Sequence, residues 1–380
     1  MRPGAPDVAA EPLKILMVTP HLPPYQAANA LLPHVLGVEL EKRGHGVSFL
    51  TFKTGEGERA SAAYVKRRTA FRPTRIPQLL EALETRRKAG PLIEQADVVH
   101  VHSNTWMNQV AARAAVRRGT PYVLTHYGTE IWHHDGRNRA FRALNRNARH
   151  VTFYSAGLLA RARELNVPLR EASVVYPAVD ILFSPLGPPE RQAVRAPLLA
   201  SGESLLFNVK RLHPLADHAT LLRAFALLDP AQVRAKLVIA GSGEEREPLE
   251  NLARELGLAG RVRFLGLVPN SEVARLHAAA DLFVLSSRLE ATPTVVLEAL
   301  ACGTRVVSTD NPGGLELGAM FGDDIRVVTR ENPQALADGI AASLRENRRI
   351  SERTARLIDE RFSLRGLVDR YCEIYEEALR

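Results

Sequence analysis

DLFVLSSRLEATPTVVLEALACGTRVVSTDNPGG, residues 281–314, carries the clearest signal in this chain. The apolar run from Leu282 to Leu285 reads as a buried strand. Thr292 and Pro293 then supply a helix-capping residue followed by proline at the first helical position, which predicts a helix from about Pro293 to Ala301. Gly303 stops it at the usual C-terminal place, and Arg305 to Ser308 begins the next strand. Glu290 therefore falls in the loop facing the helix N-terminus, where unpaired N–H groups and the macrodipole favour an anion, while Glu298 lies two turns further on. A phosphate seat flanked by carboxylates, which accept hydrogen bonds from hydroxyls, predicts a ligand with both phosphate and sugar, as in a nucleotide sugar.

At 380 residues the chain exceeds the roughly 250–300 at which a single core stops growing, so two domains are expected. In the first half LKILMVT (13–19), GHGVSFLTF (44–52), ADVVHVHS (96–103), PYVLTHYG (121–128) and HVTFYS (150–155) read as strands alternating with helical segments. SLLFNVKRL (204–212), KLVIAGSG (236–243), VRFLGLV (262–268), DLFVLSS (281–287), TRVVST (304–309) and DIRVVT (324–329) do the same in the second. This alternation predicts an α/β protein with two Rossmann-like, doubly wound parallel sheets, and such sheets bind ligands at the C-terminal ends of their strands. The expected layout is a tail over 1–11, a first domain over 12–184, a proline-bearing linker over 185–203, a second domain over 204–363 and a terminal helix over 364–380.

The tail lacks the apolar core of a signal peptide and no run reaches the ~18 apolar residues of a membrane span, which points to a cytoplasmic setting. Cys302 and Cys372 are too few for a disulfide framework or a metal cluster. Lysine and arginine number 50 against 42 acidic residues, a net charge of +8, concentrated in VKRRTAFRPTR (65–75), ETRRKAG (84–90) and RNRAFRALNRNAR (137–149). Arg139, Arg142, Arg146 and Arg149 fall on one helical face, either an ordinary solvated face or a contact for an acidic acceptor or an anionic membrane surface. Nucleic acid is not expected, because no aromatic residues interleave with the charge.

The 281–314 stretch resembles the donor-binding signature of glycosyltransferase family 4, retaining enzymes of the two-domain GT-B fold, and the resemblance extends over most of the chain. It implies that Glu290 contacts the transferred hexose and that Glu298 holds the ribose. Lys210-Arg211-Leu212 resembles the family's Gly-Arg-Leu, which implies that Arg211, with Lys210 beside it, meets the donor diphosphate. The lysine that relatives carry five residues later is Ala216 here. Gly241-Ser242-Gly243 resembles the family's glycine turn, the backbone near Leu267 and Val268 its contact with the base, and the amides of Thr294 and Val295 its contacts to phosphate or sugar oxygens. Asn311, Gly313, Gly314 and Glu316 resemble its Gly-Gly-x-Glu element.

In the first half, THYGTE (125–130) resembles the family's Thr-x-His-Gly-Thr-Asp/Glu, with the histidine one position early. This implies that His126 meets the donor sugar as a catalytic group, or that Tyr127 does so in its place. His100 and His102 end the preceding strand, His102 being read as an acceptor contact; the plainer reading of strand-end histidines is that they are packed and hydrogen-bonded. Tyr25, Gln26 and Asn29 make the loop after the first strand bulky and polar, and acceptor binding is expected there. With Glu290, His126 and Arg211 as its catalytic set, the resemblance implies a metal-independent, retaining hexosyl transfer from a nucleoside diphosphate sugar to a hydroxyl of a small-molecule, lipid or polysaccharide acceptor. No cofactor is implied beyond the donor. Two other readings stay open: a non-catalytic or attenuated GT-B protein that binds nucleotide sugar, motivated by Ala216 and the altered histidine element, and a GT-B nucleotide-sugar epimerase.

Overall fold

The computed structural model describes residues 11–23, 28–52, 61–65 and 75–380. The chain divides into unit 1, which runs to Val175 and takes up Val368–Arg380 again, and unit 2, Tyr176–Leu367. Unit 1 alternates β1 (Lys14–Val18), α1 (Ala28–Lys42), β2 (Gly46–Phe52), β3 (Ala62–Val65), α2 (Arg75–Gln95), β4 (Val98–His102), α3 (Trp106–Arg118), β5 (Tyr122–His126), the short α4 (Thr129–Trp132), α5 (Arg139–Asn147), β6 (His150–Phe153), α6 (Ala156–Glu164) and β7 (Glu171–Val174). Its strands are parallel in the order β3-β2-β1-β4-β5-β6-β7. The order reverses between β1 and β4, the kind of switch point at which open α/β sheets place ligands.

Burial explains which strands the sequence announces. All five residues of β4 and of β5 are buried, as expected of a parallel sheet covered on both faces, and they read as apolar runs. The edge strands β3 and β7, AAYV and EASV, are mostly half-buried and carry a single branched aliphatic residue each, so hydrophobic patterning marks them weakly. Helix α3 shows how local signals set the ends of an element. Thr105 accepts a hydrogen bond from the Asn108 amide at its start. At its end Gly119, at φ 75°, donates to the carbonyls of Ala115 and Val116.

Unit 2 contains α7 (Pro188–Arg195), β8 (Ser204–Val209), α8 (His218–Leu227), β9 (Ala235–Ala240), α9 (Arg246–Glu255), β10 (Val262–Gly266), α10 (Asn270–Ala279), β11 (Leu282–Leu285), α11 (Thr294–Ala301), β12 (Val306–Thr309), α12 (Pro312–Phe321), β13 (Ile325–Val328), α13 (Pro333–Arg345) and α14 (Glu352–Phe362). The parallel order β10-β9-β8-β11-β12-β13 reverses between β8 and β11. Alternate side chains enter two different cores. Leu205, Phe207, Phe283 and Leu285 pack on one face of the sheet, and Leu206, Leu282 and Val284 on the other. Each such buried side chain contributes about 1.5–3 kcal/mol of transfer free energy.

Residues 185–203, expected as a linker, belong instead to unit 2. Proline at the first turn starts α7, Val194 is buried in the unit 2 core, and Arg191 and Arg195 reach the Asp281 carboxylate at 2.6 and 2.8 Å. Two guanidiniums on one carboxylate hold this helix where proline content alone suggested a loose connection. Helix α15 (Leu364–Leu379) belongs to unit 1 from Val368 onward. There Tyr375 and Tyr371 are buried, the first 2.7 Å from His100 Nδ1 and the second 3.2 Å from the hydroxyls of Thr125 and Thr152. Among the described residues no helix is long and apolar enough to cross a membrane.

Candidate functional site

β8 and β11 are neighbours in the sheet of unit 2, so the loops leaving their C-terminal ends lie side by side at its switch point. The first loop carries Lys210 and the second Glu290, and Lys210 Nζ stands 2.6 Å from Glu290 Oε1, with both side chains less than a third exposed. A close charge-assisted contact of this kind is strong when partly shielded from water, and a ligand that supplies new partners can exchange it.

The first loop is held by the glycine turn after β9. Lys210 N donates to the Ala240 carbonyl at 3.1 Å and Leu212 N to Ser242 O at 2.9 Å. A Cβ on Gly241 would stand 2.0 Å from Lys210 O, and one on Gly243 would stand 2.0 Å from Leu212 O. Gly241 also adopts φ 133°. Glycine is therefore demanded here by the approach of two backbones. Gly241 N donates to Gly266 O at 2.8 Å, which brings the segment with Leu267 and Val268 beside the same turn; Leu267 is 81% exposed.

The second loop is fixed from both sides. Arg288 N donates to Leu215 O at 2.8 Å, the Ser286 hydroxyl to Ala216 O at 2.9 Å, and Gly313 N to Glu290 O at 3.0 Å. A Cβ on Gly313 would come within 2.7 Å of Ala291 O, so α12 meets the Glu290 loop only because glycine stands there. Asn311 caps α12 by accepting from Gly314 N at 2.9 Å and also donates to Ser287 O, while Glu316 accepts the Tyr176 hydroxyl at 2.6 Å. These two residues brace the site from behind. Ala216 is buried, its methyl occupying the place where relatives are expected to carry lysine, and Lys210 is the cation found at the Glu290 carboxylate.

Helix α11 begins one residue later than the Thr292-Pro293 pair predicts. Pro293 itself is the N-cap, at φ −73° and ψ 97°, and makes no side-chain cap hydrogen bond. Proline has no side-chain acceptor to offer the amides of the first turn, so the positive end of the helix dipole at Thr294 and Val295 has no capping side chain. One turn on, burial pushes the Glu298 carboxyl up to about 7, against the opposing pull of Lys210 and a hydrogen bond from Thr294. Lys210 thus acts electrostatically on Glu298 while touching Glu290. His277 Nε2 lies 3.9 Å from Glu298. Burial among Phe183, Phe207 and Phe283 lowers that imidazole to about 3, so it stands beside the carboxyl as a neutral ring. No pattern in the sequence marks His277, which occupies one turn of an ordinary amphipathic helix.

Arg211 stands apart from this cluster. Its side chain is 73% exposed and lies 3.4 Å from Glu244, a surface pair worth little to stability. Behind Lys210, Asn208 joins β8 to the Val284 carbonyl at 2.8 Å and to His218 Nε2 at 2.9 Å, a support that the sequence reading did not single out.

In unit 1 the expected histidines are interior groups. His126 is fully buried against Phe141 and Phe153, with Nε2 2.9 Å from Asn145 Oδ1. His102 is buried too, with Nδ1 2.7 Å from the Tyr127 hydroxyl and Nε2 3.2 Å from Met17 Sδ. Neither imidazole is exposed, because both bond inward to neighbouring elements. Tyr127 is spent on His102 and packs against Tyr154. Glu130 folds back to accept the amides of Tyr127 and Gly128 at 2.7 and 3.1 Å. Tyr25 and Gln26 lie outside the described residues; Asn29 lies in the first turn of α1, with its side chain likewise outside them. Among the described residues no group of three or more histidine, cysteine, aspartate or glutamate side chains is placed to hold a metal ion.

Comparison with known proteins agrees with this architecture. The family profile of Glycosyltransferase Family 4 matches residues 34–182, and that of Glycosyl transferases group 1 matches residues 190–360. D-inositol 3-phosphate glycosyltransferase of Thermobispora bispora is 31% identical over 306 residues, 73% of this chain and 70% of that protein. N-acetyl-alpha-D-glucosaminyl L-malate synthase of Bacillus anthracis is 27% identical over 364 residues, 91% of this chain and 92% of that one. Among solved structures, HepE of Anabaena in complex with UDP shares the fold with a TM-score of 0.79 at 21% identity, over 96% of this chain and all of that one. Two doubly wound parallel sheets, the strand-end cluster and these relatives lead to one assignment: the chain belongs to the GT-B glycosyltransferases, which transfer a sugar from a nucleoside diphosphate sugar to a hydroxyl acceptor.

Proposed function

We propose that unit 2 binds the donor at the β8–β11 switch point and that the protein is a retaining, metal-independent hexosyltransferase. The observation that carries this reading is the Lys210–Glu290 pair at 2.6 Å, its glutamate in the loop that precedes the uncapped end of α11, with Glu298 in the field of the same lysine. Donor hydroxyls take over Glu290, which frees the ammonium of Lys210 for the diphosphate. Arg211, exposed and always charged, swings to the same phosphates, and the amides of Thr294 and Val295 receive a phosphate oxygen. Glu298 accepts the ribose hydroxyls, and the backbone of Gly241 and Val268 lines the nucleoside.

In the reaction the bond between the anomeric carbon and the phosphate oxygen breaks. The acceptor oxygen bonds to that carbon on the face the phosphate leaves, and the acceptor proton passes to the departing phosphate oxygen. Lys210 and Arg211 stabilise the charge that develops on the diphosphate, the kind of electrostatic contribution that dominates many enzymes. Acceptor recognition is assigned to Tyr25, Gln26 and Asn29, which follow β1 in the sequence. Two relatives are named for compact hydroxylated anions, D-inositol 3-phosphate and L-malate, and these are the first small acceptors to assay, ahead of lipid and polysaccharide hydroxyls.

The test is a panel of nucleoside diphosphate sugars with each acceptor, the product's anomeric configuration being read by NMR. Retention with wild-type protein, and loss of donor affinity and turnover in Glu290→Ala, support the reading. Inversion, or a Glu290→Ala, Lys210→Ala double variant with donor affinity and turnover unchanged, overturns it. Binding without turnover supports instead the binding-only alternative, for which the buried Ala216 is the specific observation.

A further inference from the structure

Helices α2 and α3 pack side by side in unit 1 and share an outer face of unusual composition. Between Gln78 and Lys88 the exposed residues are Leu79, Leu80, Leu83, Arg86 and Arg87. Leu79 and Leu83 are 60% and 52% exposed, one turn apart, with Arg86 in the following turn. The carboxylates of this stretch are withdrawn from the face: Glu81 is buried and Glu84 is held by Lys88 at 2.7 Å. Helix α3 has no acidic residue and exposes Trp106, Arg113, Val116, Arg117 and Arg118, the last paired with Glu94 of α2. Leu79, Leu83 and Trp106 line a groove of about 300 Å³, with Arg86 and Arg113 on its margin.

We infer that this α2–α3 face docks on an anionic lipid surface. Apolar side chains of this size are normally buried, and together they make a patch that calls for a cover. The charge selects the cover. Within 78–88 of α2 and 106–117 of α3, which hold the groove, every exposed charged residue is an arginine, which complements phosphate headgroups, while Glu94 at the far end of α2 is paired with Arg118 at 3.1 Å. A second copy of the chain docked symmetrically would bring arginine against arginine. Leucines reach below the headgroups while arginine stems snorkel to them, and Trp106 is an amphipathic ring suited to that boundary. The α5 stripe is the weaker site for such contact, since Arg142 is already engaged with the carbonyls of Gly136 and Asn166. The surface recruits the enzyme to a membrane whatever its acceptor, and is independent of the donor site in unit 2.

The experiment is flotation of the full chain with vesicles of phosphatidylglycerol and phosphatidylcholine, and with phosphatidylcholine alone. Binding is expected with the anionic vesicles only. It should fall roughly fivefold for each arginine neutralised in Arg86→Gln, Arg113→Gln and roughly tenfold for each leucine in Leu79→Ser, Leu83→Ser. These side chains are exposed, so donor affinity and thermal stability serve as controls for folding. As a measurement that needs no change in the face, Trp106 fluorescence in a Trp132→Phe background should shift to the blue on anionic vesicles. Absence of binding, equal binding to phosphatidylcholine alone, binding indifferent to both double variants, or a dimer in sedimentation that the leucine variant dissociates would each overturn the proposal.

Discussion

In unit 2 the charged residues that follow the central strands, Lys210 and Glu290, meet in strand-end loops, while in unit 1 the titratable residues at the ends of β4 and β5, His102 and His126, are enclosed. Both sheets are parallel and reverse their strand order beside the first strand of the unit, so topology alone does not separate them. The difference lies in what the neighbouring elements offer. Asn145 from α5 and Tyr127 from the β5 loop present partners to the two imidazoles inside unit 1. Burial leaves His102 neutral, at about 3, and a neutral ring bonded inward has no charge to lend a substrate. In unit 2 Gly241, Gly243 and Gly313 let backbones close on one another, and the ionic pair in these loops stays partly exposed. The same architecture thus leaves charged strand-end groups partly exposed or encloses them according to the residues packed beside each strand end.

The largest effect that tests this contrast comes from Gly243→Ala. A Cβ 2.0 Å from the Leu212 carbonyl oxygen cannot be relieved by a rotamer, and unfolding in denaturant should show a loss of about 4 kcal/mol. Wild-type stability in that variant would remove the physical basis assigned to the turn. Next, Lys210→Ala is expected to lower kcat/KM about a hundredfold, as for loss of one charge-stabilising donor, with partial recovery in Lys210→Arg. An unchanged rate would place the lysine on the same footing as the enclosed histidines.

His126→Ala should behave oppositely to Lys210→Ala. It leaves Asn145 Oδ1 without its partner and costs about 2 kcal/mol of stability, while donor affinity, measured by calorimetry, changes by less than about twofold. A large loss of affinity at unchanged stability would return His126 to the reaction. The smallest effect is on pH dependence. The Glu298 carboxyl rises from its ordinary 4.5 to about 7 in the folded chain, first through burial. The folded protein therefore holds an extra proton between these values, so this group's contribution to stability is full below about 4.5 and is lost as pH rises towards 7. Hydroxyl donors bind the ionised form, so donor affinity should grow by up to about tenfold per unit as pH climbs towards 7 and level off above it. Glu298→Gln should flatten that profile, and a profile that survives the substitution would assign it to another group.

The strand-turn-helix signature of residues 281–314, the six strands of unit 2 and the buried strands of unit 1 were legible because a parallel sheet covered on both faces demands continuous apolar runs ended by glycine, proline and small polar residues. The edge strands β3 and β7 were not, since half-buried positions impose no such pattern. Helix α7 was hidden by its prolines and revealed by the carboxylate of Asp281, which is 86 residues from Arg195 along the chain. Residue types with the chemistry of a donor site could likewise be listed from the sequence. Which of them stay at an open loop and which are enclosed depended on long-range packing, because whether a histidine stays at an edge or turns inward is settled by partners such as Asn145. Lys210 standing against Glu290 across 80 residues, and neutral His277 set beside Glu298, are products of the fold, since no local propensity relates one strand-end loop to the next.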